Sequence, residues 1–86
     1  MAAEAVWREE DGALVRDLEF DDFAGAMAFV NGVAGLAEEA NHHPDILIHG
    51  WNHVRLTLTT HSAGKLTDSD RAMAERIDGL PLRQSP

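Results

Sequence analysis

Ile46-Leu47-Ile48-His49-Gly50-Trp51-Asn52-His53-Val54-Arg55-Leu56-Thr57-Leu58-Thr59-Thr60 is the stretch that decides the fold. It opens on an apolar, β-branched triplet, passes through turn formers at Gly50 to Asn52, and then alternates strictly from His53 onward. Val54, Leu56 and Leu58 therefore face one way, and His53, Arg55, Thr57 and Thr59 the other. This is a β-hairpin with one apolar side for the core. Its polar side belongs to solvent or to an assembly surface. His61 follows at the strand's end, and His49 and His53 flank the turn as surface residues.

Upstream, the period changes from two to between three and four. Phe23, Ala26, Met27, Val30, Val33, Ala34 and Ala37 recur as one stripe of an amphipathic helix, which Asp21 or Asp22 can cap. Phe29 and Leu36 widen the apolar surface, toward either a broad core face or a second subunit. Gly32 and Gly35 each weaken the helix by roughly 1 kcal/mol relative to Ala, and both suit close helix contacts. Pro44 requires the helix to end by about Asn41 to His43, because the residue before proline avoids helical geometry.

Further upstream, Asp11-Gly12 supplies the positive φ angles of a tight hairpin turn. With those two residues at the turn, Glu9 pairs with Leu14, Trp7 with Arg16 and Ala5 with Leu18. Trp7, Leu14 and Leu18 then share one face, and Arg8, Val15 and Asp17 the other. Trp7 reads as packing more readily than as an aromatic ligand platform, with Arg16 covering its ring. Downstream, Ser62 to Lys65 form a loop. Thr67 starts a last helix as a capping box with Asp70 at the third position, and Met73, Ile77 and Leu80 make its stripe. Gly79 and Pro81 mark its end. The order is β-β-α-β-β-α, an α+β fold with a four-stranded antiparallel sheet and helices packed on one face. Residues 1–80 form a single domain and residues 81–86 a C-terminal tail.

The 86 residues carry 7 Lys+Arg against 15 Asp+Glu, a net charge of −8, and no cysteine. Without cysteine there are no disulfides, thiol nucleophiles or Cys-based metal sites. The acidic balance, with no basic cluster, argues against nucleic acid as a ligand. No segment reads as a secretory signal or a membrane span, so the cytoplasm is the expected compartment. A core this small makes oligomerisation a reasonable expectation.

Five histidines in so short a chain are many. His42, His43 and His61 fall at the ends of elements, where sites are built. Glu38 stands four residues before His42, so a helix persisting that far puts carboxylate and imidazole on one face, where Glu38 would orient His42. The plainer alternative is a solvated helix end whose dipole favours His42 and His43. A metal site is poorly supported, since adjacent histidines diverge on a helix and no evident ligand set completes them. A Ser/His/Asp hydrolase is poorer still, because no nucleophile-elbow sequence is present.

These residues together carry a resemblance. Glu38, His42-His43-Pro44, Trp51, His61 and Asp70, in this order and spacing, resemble the signature of the pterin-4a-carbinolamine dehydratase family. The similarity runs from the Asp11-Gly12 hairpin through Leu18-Glu19-Phe20, Phe23, Thr59-Thr60-His61 and Gly64-Lys65-Leu66-Thr67. It implies a four-stranded sheet with helices on one side. It also implies a reaction, the dehydration of 4a-hydroxytetrahydrobiopterin, or the carbinolamine of another tetrahydropterin, to the quinonoid dihydropterin, without metal or organic cofactor. An aromatic amino-acid hydroxylase becomes the pathway companion.

By that resemblance His42 and His61 are the acid–base pair, His43 is a ring-binding or secondary catalytic group, and Glu38 orients the site. The binding set is His42, His43, Pro44, Thr60, His61, Ser62 and Ala63. Trp51 and Asp70 match the signature but also have plain structural roles, Trp51 in packing near a turn and Asp70 as a helix cap. Members of the family commonly begin with a further N-terminal helix. Only about four residues precede Ala5, so that helix is expected to be missing or shortened. Assembly as a homodimer or homotetramer is the family expectation. The alternative function is a non-catalytic binding module of the same fold, either a transcriptional dimerisation cofactor or an enzyme-assembly factor.

Overall fold

The structure, a computed structural model, describes residues 6–81. Strands β1 (Arg8–Glu10) and β2 (Ala13–Glu19) form the first hairpin, and helix α1 (Phe23–Ala40) follows. Strands β3 (Asp45–His49) and β4 (His53–Leu58) form the second hairpin, and helix α2 (Asp68–Asp78) closes the order. The sheet is antiparallel throughout, in the order β1-β2-β4-β3. The two hairpins therefore join through β2 and β4, and β3 is an edge.

Asp11 and Gly12 both take positive φ, 50° and 77°, as their hairpin turn requires, and Glu9 pairs with Leu14 as read from the sequence. The strand is shorter than that pairing implies, because it starts at Arg8. Trp7 lies outside it, packs partly buried against the core, and donates its indole N–H to Asp78 at 2.9 Å. Arg16 is buried and donates to the same carboxylate at 2.7 Å, so it shares the partner of Trp7. The expected Ala5–Leu18 pair and any N-terminal helix fall on residues 1–5, outside the described residues.

Register places Leu14, Leu18, Val54, Leu56 and Leu58 on the inner face of the sheet, where they are buried. Ala26, Phe29, Val33 and Ala37 of α1 cover them together with Met73, Ala74 and Ile77 of α2. The α1 stripe is therefore rotated from the expected one. Phe29 enters the core and stacks at a tilt on Phe20, at a centroid distance of 5.3 Å, whereas Phe23 is 53% exposed in the first turn. Phe20, just after β2, is buried where Phe23 is not. Gly32 does permit a close approach, since an added Cβ would stand 3.4 Å from Leu80; Gly35 faces nothing that near.

The outer face is polar, as its alternation requires. Asp17 bridges Arg8 at 2.7 Å and Arg55 at 2.8 Å across the strands. The Arg55 hydrogen bond, with that of Arg8, holds the Asp17 carboxyl below the usual carboxylate range despite partial burial. Val15, flanked on this face by Arg8 and Thr57, is buried as well.

Candidate active site

Helix α1 is started by Asp22, whose carboxylate accepts from the Gly25 backbone at 2.7 Å, and is stopped by Asn41 in the left-handed region at φ 52°. Asparagine tolerates that conformation better than most residues. The His42 backbone N–H then returns to the Ala37 carbonyl at 3.1 Å, which satisfies one of the helix's last acceptors. The chain turns sharply here, so the helical spacing of Glu38 and His42 does not persist.

The consequence is a change of partners. Glu38 Oε2 meets His43 Nε2 at 2.6 Å, and both side chains are exposed. The imidazole of His42 turns inward instead and its Nε2 lies 2.6 Å from Asp70 Oδ1. The expectation that Glu38 orients His42 is thus corrected: its imidazole is His43, and the carboxylate holding His42 comes from α2.

Asp70 is 0% exposed, and its position follows from the helix start. As the third residue of α2 it accepts from the Thr67 backbone at 2.9 Å, the carboxylate half of the capping box. Its Oδ2 also accepts from Thr60 Oγ1 at 2.7 Å. Thr60 has spent its only proton there, so the 2.6 Å contact between the two threonine hydroxyls must run from Thr67 to Thr60. Burial pushes the Asp70 carboxyl up, but the hydrogen bonds from His42, Thr67 and Thr60 outweigh it and hold the group below the usual range.

An ionised carboxylate can only accept, so Nε2 of His42 must carry the hydrogen it shares with Asp70. The remaining ring nitrogen, Nδ1, is then the basic atom of a neutral imidazole. When His42 is protonated, Nδ1 becomes an acid and Asp70 balances the imidazolium charge. One buried carboxylate therefore fixes the tautomer of His42. Through Thr60 it also ties down the segment that carries His61.

His61 is exposed at the head of a tight turn. Thr60 O accepts from Ala63 at 3.0 Å and from Gly64 at 2.9 Å, and Gly64 takes φ 67°. Ser62 and Ala63 are exposed in the same turn, and Pro44 is half-buried before β3. A pocket of about 280 Å³ opens beside His42 and is lined also by Asn41, Ser69, Met73 and Arg76, at the small end of ligand cavities. Neither His43 nor His61 lines it. The α2 residues of this pocket went unnoticed in the sequence, where Ser69 and Arg76 look like an ordinary helix surface. Trp51 lies in the β3–β4 turn and is 60% exposed, so it does not pack within the chain as expected. Among the described residues, no three or more His, Cys, Asp or Glu side chains are gathered to hold a metal ion.

The family profile described as Pterin 4 alpha carbinolamine dehydratase matches residues 1–80. The chain belongs to this family of lyases. A relative from Thermomicrobium roseum, provisionally named pterin-4-alpha-carbinolamine dehydratase, is 55% identical over 74 residues, covering 86% of this chain and 78% of the relative. One from Haloarcula marismortui, named likewise, is 46% identical over 74 residues, covering 86% and 79%.

Two solved structures share the dehydratase fold. The Brucella melitensis protein described as a transcriptional coactivator/pterin dehydratase superposes with a TM-score of 0.78 at 35% identity, over 84% of this chain and 78% of that one. A pterin dehydratase-like protein identified as a RuBisCO assembly factor in the alpha-carboxysome gives 0.69 at 28% identity, over 88% and 87%.

Proposed function

We propose that this chain dehydrates a 4a-hydroxytetrahydropterin, 4a-hydroxytetrahydrobiopterin being the reference substrate, to the quinonoid dihydropterin. The observation that carries this reading is the buried Asp70, which orders His42 and Thr60 together. Loss of the 4a-hydroxyl needs a proton delivered to oxygen as the C–O bond breaks, and a base to take the proton leaving the ring nitrogen. His42, with Nε2 committed to Asp70, has Nδ1 for one of these steps, and His61 serves the other. His43, held by Glu38, contacts the ring. Pro44, Thr60, Ser62 and Ala63 complete the binding set.

Acid–base assistance of this kind is worth about 10²–10⁴-fold, enough for an already feasible dehydration when positioning is added. No cofactor is required by these steps. The substrate would come from an aromatic amino-acid hydroxylase. The working form would be a homodimer or homotetramer, in the cytoplasm. No helix among the described residues is long and apolar enough to cross a membrane.

A second reading, a non-catalytic module that binds a transcription factor or assembles an enzyme, is favoured by the two structural neighbours, one a transcriptional coactivator/pterin dehydratase and the other a RuBisCO assembly factor. Substitution separates the two. His42→Ala and His61→Ala abolish accelerated carbinolamine decay if the chain is an enzyme. Decay in the presence of either variant as fast as with the wild type refutes the catalytic assignment.

A further inference from the structure

The β3–β4 hairpin carries a second group of histidines, which the proposed reaction does not use. His49 and His53 are directly opposed in the register, and their rings stack with centroids 5.2 Å apart at 21°. The turn between them is tightly specified. Gly50 and Trp51 take φ of 54° and 58°, and the Asn52 N–H bonds to Gly50 O at 2.7 Å. Asn52 is itself buried and exchanges two bonds with Phe20, its amide donating to Phe20 O at 2.9 Å and its carbonyl accepting from Phe20 N at 2.8 Å. The hairpin end is thus pinned to the junction between β2 and α1. Gly50 leaves room for one of the rings, since a Cβ there would stand 3.2 Å from His53 Cδ2.

We propose that His49 and His53 form a two-imidazole chelating site for a divalent ion of the zinc, copper or nickel class. Geometry supports the pairing. With a metal–nitrogen distance of about 2.0–2.1 Å and about 1.1 Å more to the ring centre, two imidazoles on one tetrahedral ion have centroids about 5.1 Å apart. The observed separation meets that value, and because the rings stack nearly parallel each turns about its Cβ–Cγ bond to aim a nitrogen at a common ion. Glu19 opposes His53 on β2 and lies on the same outer face, next in the row across the sheet. Its exposed carboxylate adds negative charge beside the pair; among the described residues no third side chain joins the two imidazoles, so water fills the remaining positions. The net charge of −8 favours cation approach.

Zinc titration by calorimetry, with the copper-loaded form examined by electron paramagnetic resonance, tests the site in the full chain. His49→Gln and His53→Gln should each weaken zinc binding at least tenfold. The double variant should lose the site altogether, because no imidazole remains on the hairpin. Copper bound to the wild type should show two imidazole nitrogens, and His43→Gln/His61→Gln should retain both signals. The proposal is overturned if either single variant binds zinc as tightly as the wild type, or if binding disappears in His43→Gln/His61→Gln while the circular dichroism spectrum is unchanged.

Discussion

Replacing Asp70 by asparagine changes one atom at the centre of the site, and its effects on stability and chemistry separate. The carboxylate accepts from three donors: Thr67 N–H and Thr60 O–H at Oδ2, and His42 Nε2–H at Oδ1. An amide cannot accept on both sides. Keeping its oxygen toward the two threonine donors places its NH₂ against His42, whose Nε2 must then become the acceptor and whose proton moves to Nδ1. A charge-assisted bond is worth about 1.5–3 kcal/mol, and relief of carboxylate burial offsets part of its loss, so Asp70→Asn should destabilise by about 1–3 kcal/mol. At about 4–8 °C per kcal/mol for a domain of this size, thermal denaturation will register that loss. The tautomer reversal removes the basic Nδ1, so carbinolamine dehydration should fall by about 10²–10⁴-fold even where the protein remains folded. Nitrogen-15 spectroscopy of the histidine ring should show the hydrogen moving from Nε2 to Nδ1. A folded variant that keeps both the wild-type rate and the wild-type tautomer would refute the assigned role of Asp70.

Glu38→Gln disturbs an exposed pair with His43 and should cost less than about 1 kcal/mol by chemical denaturation, while lowering turnover without changing the His42 tautomer. Leu56→Ala empties a fully buried position on the central strand β4 and should cost about 2–5 kcal/mol, seen as a lower denaturation midpoint at an unchanged slope. The carboxyls of Asp17 and Asp70 are held below their unfolded values by the folded state. Their contribution is therefore fully present above the unfolded value, near about pH 4, and is lost as pH falls through the lower folded values. Acid titration should show stability falling below about pH 4, with a shallower fall in Asp17→Asn.

The fold was legible where local rules act alone. Asp11-Gly12 set the first turn, alternation from His53 to Leu58 set the faces of β4, and the Asp21-Asp22 pair and Thr67 marked the helix starts. The rotation of α1 was not legible, because Phe23 and Phe29 are equally apolar and only the placement of Phe20 decides between them. The site was half legible. Its histidines stood out by number and position, and their spacing with Glu38 and Asp70 carried the family resemblance. Their partners did not, since a single left-handed residue at Asn41 carries the following histidines off the helical spacing. That swing hands His43 to Glu38 and His42 to a carboxylate 28 residues away. The cap reading of Asp70 was sound as far as it went. Its second role depends on tertiary contact, which no local spacing reveals.

The most direct measurement is the decay of the 4a-carbinolamine, followed by its ultraviolet absorbance during a coupled hydroxylase reaction, with and without the purified protein. The account predicts decay that accelerates in proportion to wild-type protein and returns to the spontaneous rate with folded His42→Ala. Unaccelerated decay in the presence of pure, folded wild-type protein would contradict it.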